Sequence, residues 1–185
     1  MYNPEIYARK YLSRETQHIE TSGRNKELLV LTKYERAIIY KYSDDGYEEV
    51  NEYLRISMDL FNTRFGKILN QCLSKLDNYQ GVVFRCVNLT TAEVTRYFEA
   101  LRINKPIIEY AFISTSKSEL TAIAFGQNTK FAIYSETGKE IEKIAKFGKH
   151  NPPNEKEVLF KSGTYFNILE ITKENHYTLI TMEEI

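Results

Sequence analysis

Two glutamates separated by one residue, Glu155 and Glu157, stand directly before the apolar run 158–160. In a β-strand, alternate side chains point to the same face, so a strand here would bring both carboxylates together and turn Lys156 away. Their Cα atoms would lie about 6.5 to 7 Å apart. Two like charges at this separation repel each other, which does not help folding. Carboxylates that face a glycosidic bond can, however, stabilise an oxocarbenium-like centre and donate or accept protons. A solvated strand end is the alternative, so the catalytic interpretation depends on residues upstream.

An arginine and a group of hydroxyls upstream could complete such a site. Arg85 lies inside the apolar run 82–87, and a guanidinium is rarely buried without a partner. It could form an internal ion pair, or act as a fork for phosphate or carboxylate. Ser114, Thr115 and Ser116 end a predicted strand. Ser116 could cap the following helix, but that role does not explain Ser114, which still belongs to the strand.

The order of these pieces along the chain resembles the Arg-Ser-Glu class of mono-ADP-ribosyltransferases, which includes bacterial toxins and vertebrate ectoenzymes. The matching segments are 83–85, 112–116, 124–125, 155–160 and 163–166, preceded by a similar helical lead-in around 37–55. Each segment is a weak signal alone, but all of them occur in the right order at suitable spacings. The resemblance covers roughly residues 27–175.

The resemblance implies NAD-dependent transfer of ADP-ribose to a protein arginine, with catalytic residues Arg85, Ser114, Glu155 and Glu157. By this resemblance, Arg85 binds the NAD phosphates, and Ser114 lies near the nicotinamide ribose and helps hold the catalytic glutamate. Glu157 stabilises the positive ribose centre as nicotinamide departs. Glu155 faces the acceptor, because Glu-x-Glu in this class usually accompanies arginine acceptors.

Further positions of the resemblance concern NAD, which is expected as a co-substrate. Cys86 stands where the family often has glycine, and its backbone is expected to hold the nicotinamide amide. Phe125 is expected to stack on the nicotinamide ring. Tyr42 and Tyr47 match tyrosines that lie near the adenosine in some toxins, and Thr115 belongs to the same predicted NAD-binding set.

The loop 147–154 occupies the place of the family's substrate-recognition turn. Its first residue, Phe147, is predicted either to take part in acceptor recognition or to anchor the loop as an apolar side chain. Water competes with arginine as an acceptor, so an NAD glycohydrolase is a second interpretation of the sequence. A module that binds NAD or a protein without turnover is a third, although the intact Arg, Ser and Glu-x-Glu set argues against it.

Composition excludes several other classes of function. The 185 residues carry 25 Lys+Arg and 25 Asp+Glu, a balance that gives no indication of a nucleic-acid partner. No apolar run approaches the ~20 residues of a membrane span. The three histidines are scattered and predict no metal site. Two cysteines, Cys72 and Cys86, do not define a redox compartment.

Residues 1–26 are polar and contain no apolar signal-peptide core. We therefore expect a chain that is cytoplasmic where it is made, or a domain of a larger protein exported by other means. The resemblance implies a bacterial or phage toxin or effector that acts in the target-cell cytoplasm. Its expected partners are a target protein bearing the acceptor arginine and a cognate inhibitor or immunity protein.

The elements that would position these residues follow from periodicity. We expect a loose, partly helical lead-in over 1–26 and one catalytic domain over 27–185. Predicted helices are 27–42, 47–54, 58–76, 91–101 and 119–125, with a break at 43–46. Predicted strands are 81–87 (buried), 107–114, 130–134, 158–160, 165–173 and 177–183, with a turn at 137–139. Helices first and strands later indicate an α+β fold, to which the resemblance adds a two-sheet β core of the ADP-ribosyltransferase type.

Overall fold

The computed structural model, which describes residues 2–58 and 63–185, begins with a run of helices and continues with strands among which two further helices lie. The helices are α1 Pro4–Tyr11, α2 Ser13–Thr21, α3 Lys33–Lys41, α4 Tyr47–Ser57, α5 Arg64–Leu73, α6 Thr91–Ile103 and α7 Glu119–Ala122. The strands are β1 Tyr79–Val87, β2 Ile107–Glu109, β3 Ile113–Ser116, β4 Thr129–Glu140, β5 Glu157–Phe160, β6 Thr164–Lys173 and β7 Thr178–Glu184. Within the described residues, no helix is both long and apolar enough to cross a bilayer.

The segment before residue 27 is not loose. The N-cap of α1 is Asn3, whose side chain accepts a hydrogen bond from the Ile6 N–H, and α1 and α2 pack against α3. Ala8, Leu12 and Ile19 are buried. The expected helical character of residues 1–26 is confirmed, whereas their expected looseness was wrong, because three widely spaced apolar residues are enough to dock two short amphipathic helices.

The predicted helix over 27–42 starts six residues late. Thr32 and Glu35 form a capping box that fixes the start of α3 at Lys33. Leu28 has a φ of 45°, which no right-handed helix contains. The capping residues therefore outweigh the apolar pattern at positions 28 and 29.

The predicted break at 43–46 does not occur. A π-helical turn, Tyr42–Gly46, carries the chain from α3 into α4. A Cβ on Gly46 would lie 2.9 Å from the Lys41 carbonyl oxygen, so glycine is needed for this close approach rather than to end the helix. In the predicted helix over 58–76, Met58 is a left-handed cap, residues 59–62 lie outside the described residues, and α5 follows.

The seven strands of the described residues join one hydrogen-bonded network in the order β1-β3-β5-β4-β7-β6-β2, with β1 also paired to β4. Through β1 and β4, the two expected sheets become continuous. The predicted turn at 137–139 was wrong, since β4 runs through it. A Cβ on Gly138 would lie 2.6 Å from the Ser135 Oγ and 2.8 Å from a Val158 methyl carbon, so this glycine allows close packing. The predicted burial of β1 was also too broad, because only Val83 and Cys86 are buried in it.

The predicted strand 107–114 is two strands in different parts of the sheet. β2 pairs with β6, whereas β3 lies between β1 and β5. The break occurs where the Phe112 N–H donates to the Asn51 Oδ1 at 3.0 Å and the side chains of Ala111 and Phe112 enter the core of the helical part. A side chain of α4 therefore replaces the strand partner of Phe112.

β5 lies between the two main cores of the protein. Leu159 packs with the helices α1, α3, α4 and α5, whereas Val158 and Phe160 pack with the sheet and α6. Each face of this short strand is buried in a different core, which fixes its register. The predicted α+β class is confirmed, and so are the strands at 81–87, 130–134, 158–160, 165–173 and 177–183.

Candidate active site

One cavity of about 470 Å³ lies where the π-helical turn, α4 and the strands β1, β3 and β5 meet. Every candidate residue from the sequence lines it: Tyr42, Tyr47, Arg85, Cys86, Ser114, Thr115, Phe125, Phe147, Glu155 and Glu157. These residues come from seven separate stretches of the chain, and the fold brings them to one place.

Glu157 lies at the floor of the cavity, and the residue as a whole is only 4% exposed. Ser116 is directly opposite it in the β3–β5 pair, so Ser114, two residues away, shares its face of the sheet. The Ser114 hydroxyl donates to the Glu157 Oε1 at 2.5 Å. The predicted pairing of these two side chains is therefore present.

Burial raises the pKa of Glu157 to about 7. The hydrogen bond from Ser114 and the positive charge of Arg85 oppose this rise, whereas the negative charge of Glu155 adds to it. A carboxyl group with a pKa near neutrality can exchange a proton or hold a charge under cellular conditions.

Arg85 is connected to the pair formed by Ser114 and Glu157 through the backbone of Ser114. Its Nη1 donates to the Ser114 carbonyl oxygen at 2.6 Å, and burial lowers its pKa. Among the described residues it forms no ion pair, so the internal salt bridge considered from the sequence is not observed. A guanidinium has five N–H donors, and this one retains donors for an anion in the cavity.

Glu155 reaches the cavity by a different route from the one expected. Lys156 has a φ of 51°, and β5 begins only at Glu157, so the strand spacing assumed for the two glutamates was wrong. The Glu155 N–H donates to the Phe147 carbonyl oxygen at 3.0 Å, and its own carbonyl accepts from the Ser116 hydroxyl at 2.7 Å. Burial raises the pKa of Glu155.

Two hydroxyls at the end of β3 hold the backbone. The Thr115 Oγ1 donates to the Val158 carbonyl at 2.6 Å, and the Ser116 Oγ accepts from the Ser118 N–H. Ser118, rather than Ser116, caps α7. The sequence-based helix-cap alternative therefore applies to a neighbouring serine.

Aromatic side chains form much of the wall. The π-helical turn brings Tyr42 and Tyr47 to the same cavity with ring centroids 6.4 Å apart. Tyr42 is buried, and its hydroxyl accepts from the Asn51 Nδ2 at 3.1 Å. Phe125 is 57% exposed and Phe147 is 38% exposed, so neither is a core residue.

The cavity also contains residues to which the sequence reasoning gave no role. Glu48, Asn51 and Arg55 line it from α4, at the i, i+3 and i+7 spacing of one helical face. This spacing was the signal that the sequence offered for these three residues. It shows that they share one face of a helix, but it does not show whether that face lines a cavity or is exposed to solvent. Cys86 is a buried free thiol of this wall, and Cys72 is a buried free thiol of the helical core.

Comparison with known proteins identifies relatives across most of the chain. The sequence model described as ADP-ribosyltransferase exoenzyme matches residues 10–185. Mav of Mycobacterium avium (strain 104), provisionally named an NAD(+)–arginine ADP-ribosyltransferase, is 33% identical over 153 residues. The NAD(+)–protein-arginine ADP-ribosyltransferase Tre1 of Pseudomonas putida (strain GB-1) is 29% identical over 168 residues.

These matches cover 80% and 86% of this chain but only 18% of Mav and 31% of Tre1. The chain therefore spans less than a third of the length of either relative. Among solved structures, exoenzyme S from Pseudomonas aeruginosa, in complex with human 14-3-3 protein beta and bound to carba-NAD, matches with a TM-score of 0.72. It is 20% identical, and the match covers 95% of this chain and 84% of that chain. This likeness confirms the predicted architecture of a helical first part and a β core.

Proposed function

The chain belongs to the ADP-ribosyltransferase exoenzyme family, and on that premise we propose that it cleaves NAD and transfers ADP-ribose to a protein arginine. The observation that carries this proposal is the connected group at the cavity floor. Arg85 donates to the backbone of Ser114, and Ser114 donates to the buried carboxylate of Glu157. The guanidinium of Arg85 on β1 and the buried carboxylate of Glu157 on β5 therefore lie on either side of β3, and Ser114 of β3 connects them.

The cavity has chemistry that suits NAD. A pyrophosphate dianion suits the guanidinium of Arg85, which lacks a carboxylate partner in the described ranges. The nicotinamide ring suits the exposed face of Phe125, and the adenosine suits Tyr42 and Tyr47. Cys86 and Thr115 also line the cavity and complete the proposed NAD-binding set.

In the proposed reaction the bond between nicotinamide nitrogen and ribose carbon breaks, and its electron pair leaves with nicotinamide. Positive charge develops on the ribose, and the ionised Glu157 stabilises it from a fixed, desolvated position. An acceptor nitrogen then forms the new bond to the ribose carbon and loses a proton. Glu155, whose pKa is raised by burial, is suited to pair with the incoming guanidinium and take up that proton.

An arginine acceptor agrees with the names of Mav and Tre1, both NAD(+)–arginine enzymes by name. We propose that Glu155 and Phe147 form the acceptor side of the site. The partner is then a protein that presents an arginine, and the chain acts as a toxin or effector domain in the cytoplasm of a target cell. A producing cell that contains the same target protein requires a cognate inhibitor.

Incubation of the protein with NAD labelled in the ADP-ribose moiety and a cell lysate tests the proposal. Release of free nicotinamide together with labelled protein is expected. Release without labelling would instead indicate an NAD glycohydrolase with water as acceptor. If neither occurs, the chain is a binding module without turnover and the proposal is wrong.

Arg85→Lys is expected to weaken NAD binding by about tenfold or more, because lysine keeps the charge but cannot form a bidentate pair. NAD titration alongside thermal melting measures both effects. Binding loss with a nearly unchanged melting temperature is the expected result. A variant that melts far lower, while its folded fraction binds NAD normally, would make Arg85 a structural residue.

Phe125→Ala is expected to raise the Michaelis constant for NAD by about two- to twelvefold, which corresponds to about 0.5–1.5 kcal/mol of ring stacking. Because the side chain is 57% exposed, little stability should be lost. Leu120→Ala is the matched control, since Leu120 is an exposed apolar residue of α7 at 83% exposure and does not line the cavity. Equal kinetics for the two variants would remove Phe125 from the NAD site.

A further inference from the structure

The loop between β4 and β5, residues 141–156, carries both residues of the proposed acceptor side, Phe147 and Glu155. It contains neither helix nor strand. Its backbone polar groups therefore need partners outside regular structure. Many of these partners come from one distant stretch of the chain, the 23–27 segment, which follows α2.

Arg24 is the first of these partners. It is 2% exposed, and its guanidinium donates to three consecutive carbonyl groups, at 3.2 Å to Ile144, 3.0 Å to Ala145 and 3.1 Å to Lys146. Its charge also lies over the ring of Tyr40, 5.2 Å from the centroid. Within the described parts of the chain, no carboxylate pairs with Arg24. The Arg24 Nη1 also lies 3.2 Å from the His18 Nε2, but most of the hydrogen bonds of this buried guanidinium go to the backbone just before Phe147.

Glu27 provides the second attachment, just after Phe147. Its Oε1 lies 3.2 Å from the Lys149 Nζ and 3.1 Å from the His150 Nε2. A Cβ on Gly23 would lie 2.6 Å from the His150 Nδ1, so the absence of a side chain at position 23 allows the imidazole to pack there. The two attachments flank Phe147 on both sides in sequence.

A backbone hydrogen bond couples the position of Glu155 to that of Phe147. The Glu155 N–H donates to the Phe147 carbonyl oxygen at 3.0 Å, so a shift of residue 147 moves the residue that faces the acceptor. The π-helical turn also holds the loop, because the Lys146 N–H donates a hydrogen bond to the Ser43 Oγ at 2.8 Å. Neither Arg24 nor Glu27 lines the cavity, so any effect of theirs on chemistry passes through the loop.

We infer that the 23–27 segment positions the acceptor side of the site, and that Arg24 and Glu27 determine how much ADP-ribose goes to arginine rather than to water. This inference rests on the proposed function. Arg24 and Glu27 are positioning residues in it. The group that cleaves NAD is independent of them, because Arg85, Ser114 and Glu157 lie on three hydrogen-bonded strands.

Three variants release the loop by different means. Arg24→Lys keeps the charge but cannot span three carbonyl groups, and Glu27→Gln removes the charge that pairs with Lys149 and His150. Gly23→Ala displaces the His150 ring without changing any charge, and its backbone conformation accepts alanine. The matched control is Glu20→Gln, which removes an ion pair between α2 and Lys33 of α3 that includes no residue of the loop.

The experiment measures nicotinamide release and modification of agmatine, an arginine analogue, in one reaction. In Arg24→Lys the ratio of transfer to hydrolysis should fall by about tenfold, because small misplacements of a reacting group are costly, and the Michaelis constant for agmatine should rise while that for NAD stays the same. Glu27→Gln and Gly23→Ala should change the ratio in the same direction by about threefold. Glu20→Gln should match the unaltered protein. A parallel fall of transfer and hydrolysis, or an unchanged ratio, would overturn the inference.

Hydrogen–deuterium exchange provides a readout that does not need activity. Peptides from the 141–156 loop should exchange faster in the three variants, and peptides from β5 and β1 should not. If the unaltered protein releases no nicotinamide, the proposed function fails, and unchanged exchange in the loop would separately show that the 23–27 segment does not hold it.

Discussion

Glu157→Gln is expected to abolish both nicotinamide release and protein labelling, with a loss of at least about 10²- to 10³-fold in rate. Glutamine keeps the size of the side chain and can still accept the hydrogen bond from Ser114, but it carries no charge to stabilise the ribose centre. Because the same carboxylate serves transfer and hydrolysis, both products should disappear together. Release within a few-fold of the unaltered protein would refute the assignment of Glu157.

The pH dependence of the unaltered protein offers an independent check. Burial raises the pKa of Glu157 to about 7, so kcat/KM for nicotinamide release should rise as the pH increases through about 7 and the carboxylate ionises. The folded state binds this proton more tightly than the unfolded chain. Its contribution to stability is therefore present under acidic conditions and is lost as the pH rises through about 7.

The dependence of stability on the ionisation of Glu157 also distinguishes a variant that has lost catalysis from one that has lost its fold. Glutamine removes the cost of a buried charge, so Glu157→Gln should melt at the same or a higher temperature than the unaltered protein at pH 8. A much lower melting temperature at that pH would attribute the lost activity to unfolding instead. Nicotinamide release and thermal melting at pH 6 and pH 8 provide the full comparison.

Glu155→Gln should separate the two outcomes of the reaction. Glutamine keeps the size of the side chain and the backbone contacts of residue 155 with Phe147 and Ser116, but loses the charge that pairs with a guanidinium. Arginine labelling should collapse by about 10²-fold or more, while release of nicotinamide to water largely persists. Both products are measured in one reaction that contains agmatine.

Two other outcomes would change the role of this residue. If labelling and release fall together, Glu155 supports NAD cleavage itself and the argument for an arginine acceptor fails. If neither falls, Glu155 is a solvated residue beside a strand, which is the non-catalytic alternative considered for the Glu-x-Glu pair in the sequence analysis. Ser118→Ala, which affects only the cap of α7, is a suitable control for general effects in this region.

Two strands of the site, β1 and β5, were predictable because each contains a run rich in β-branched and aromatic residues that polar residues precede. Arg85 and Ser114 stood out because a charge or a hydroxyl interrupts such a run. The contact between Ser114 and Glu157 could not be derived from composition, since it depends on pairing between segments 43 residues apart. The resemblance to a known family supplied the expectation of that contact, and the sheet register then provided it.

The failures have local causes that no periodicity reveals. The chain leaves the strand path at Phe112 because an amide on α4 takes its N–H, a contact between residues 61 apart in sequence. Lys156 adopts a left-handed conformation, which is uncommon for any residue except glycine and therefore has no signature in the pattern. In both places tertiary contacts outweigh local preference, and both places adjoin the candidate site.

The π-helical turn at Tyr42–Gly46 makes the wall of the cavity depend on the number of residues as well as on their types. In a regular α-helix, residues five apart are separated by about 140° around the axis, so Tyr42 and Tyr47 would face different directions. A family member with a regular α-helix here would need its two tyrosines four residues apart, about 40° around the axis, to present both of them to the cavity. The π-helical turn therefore accommodates one extra residue without separating the two rings, so that chains of different length in this segment can form the same aromatic wall.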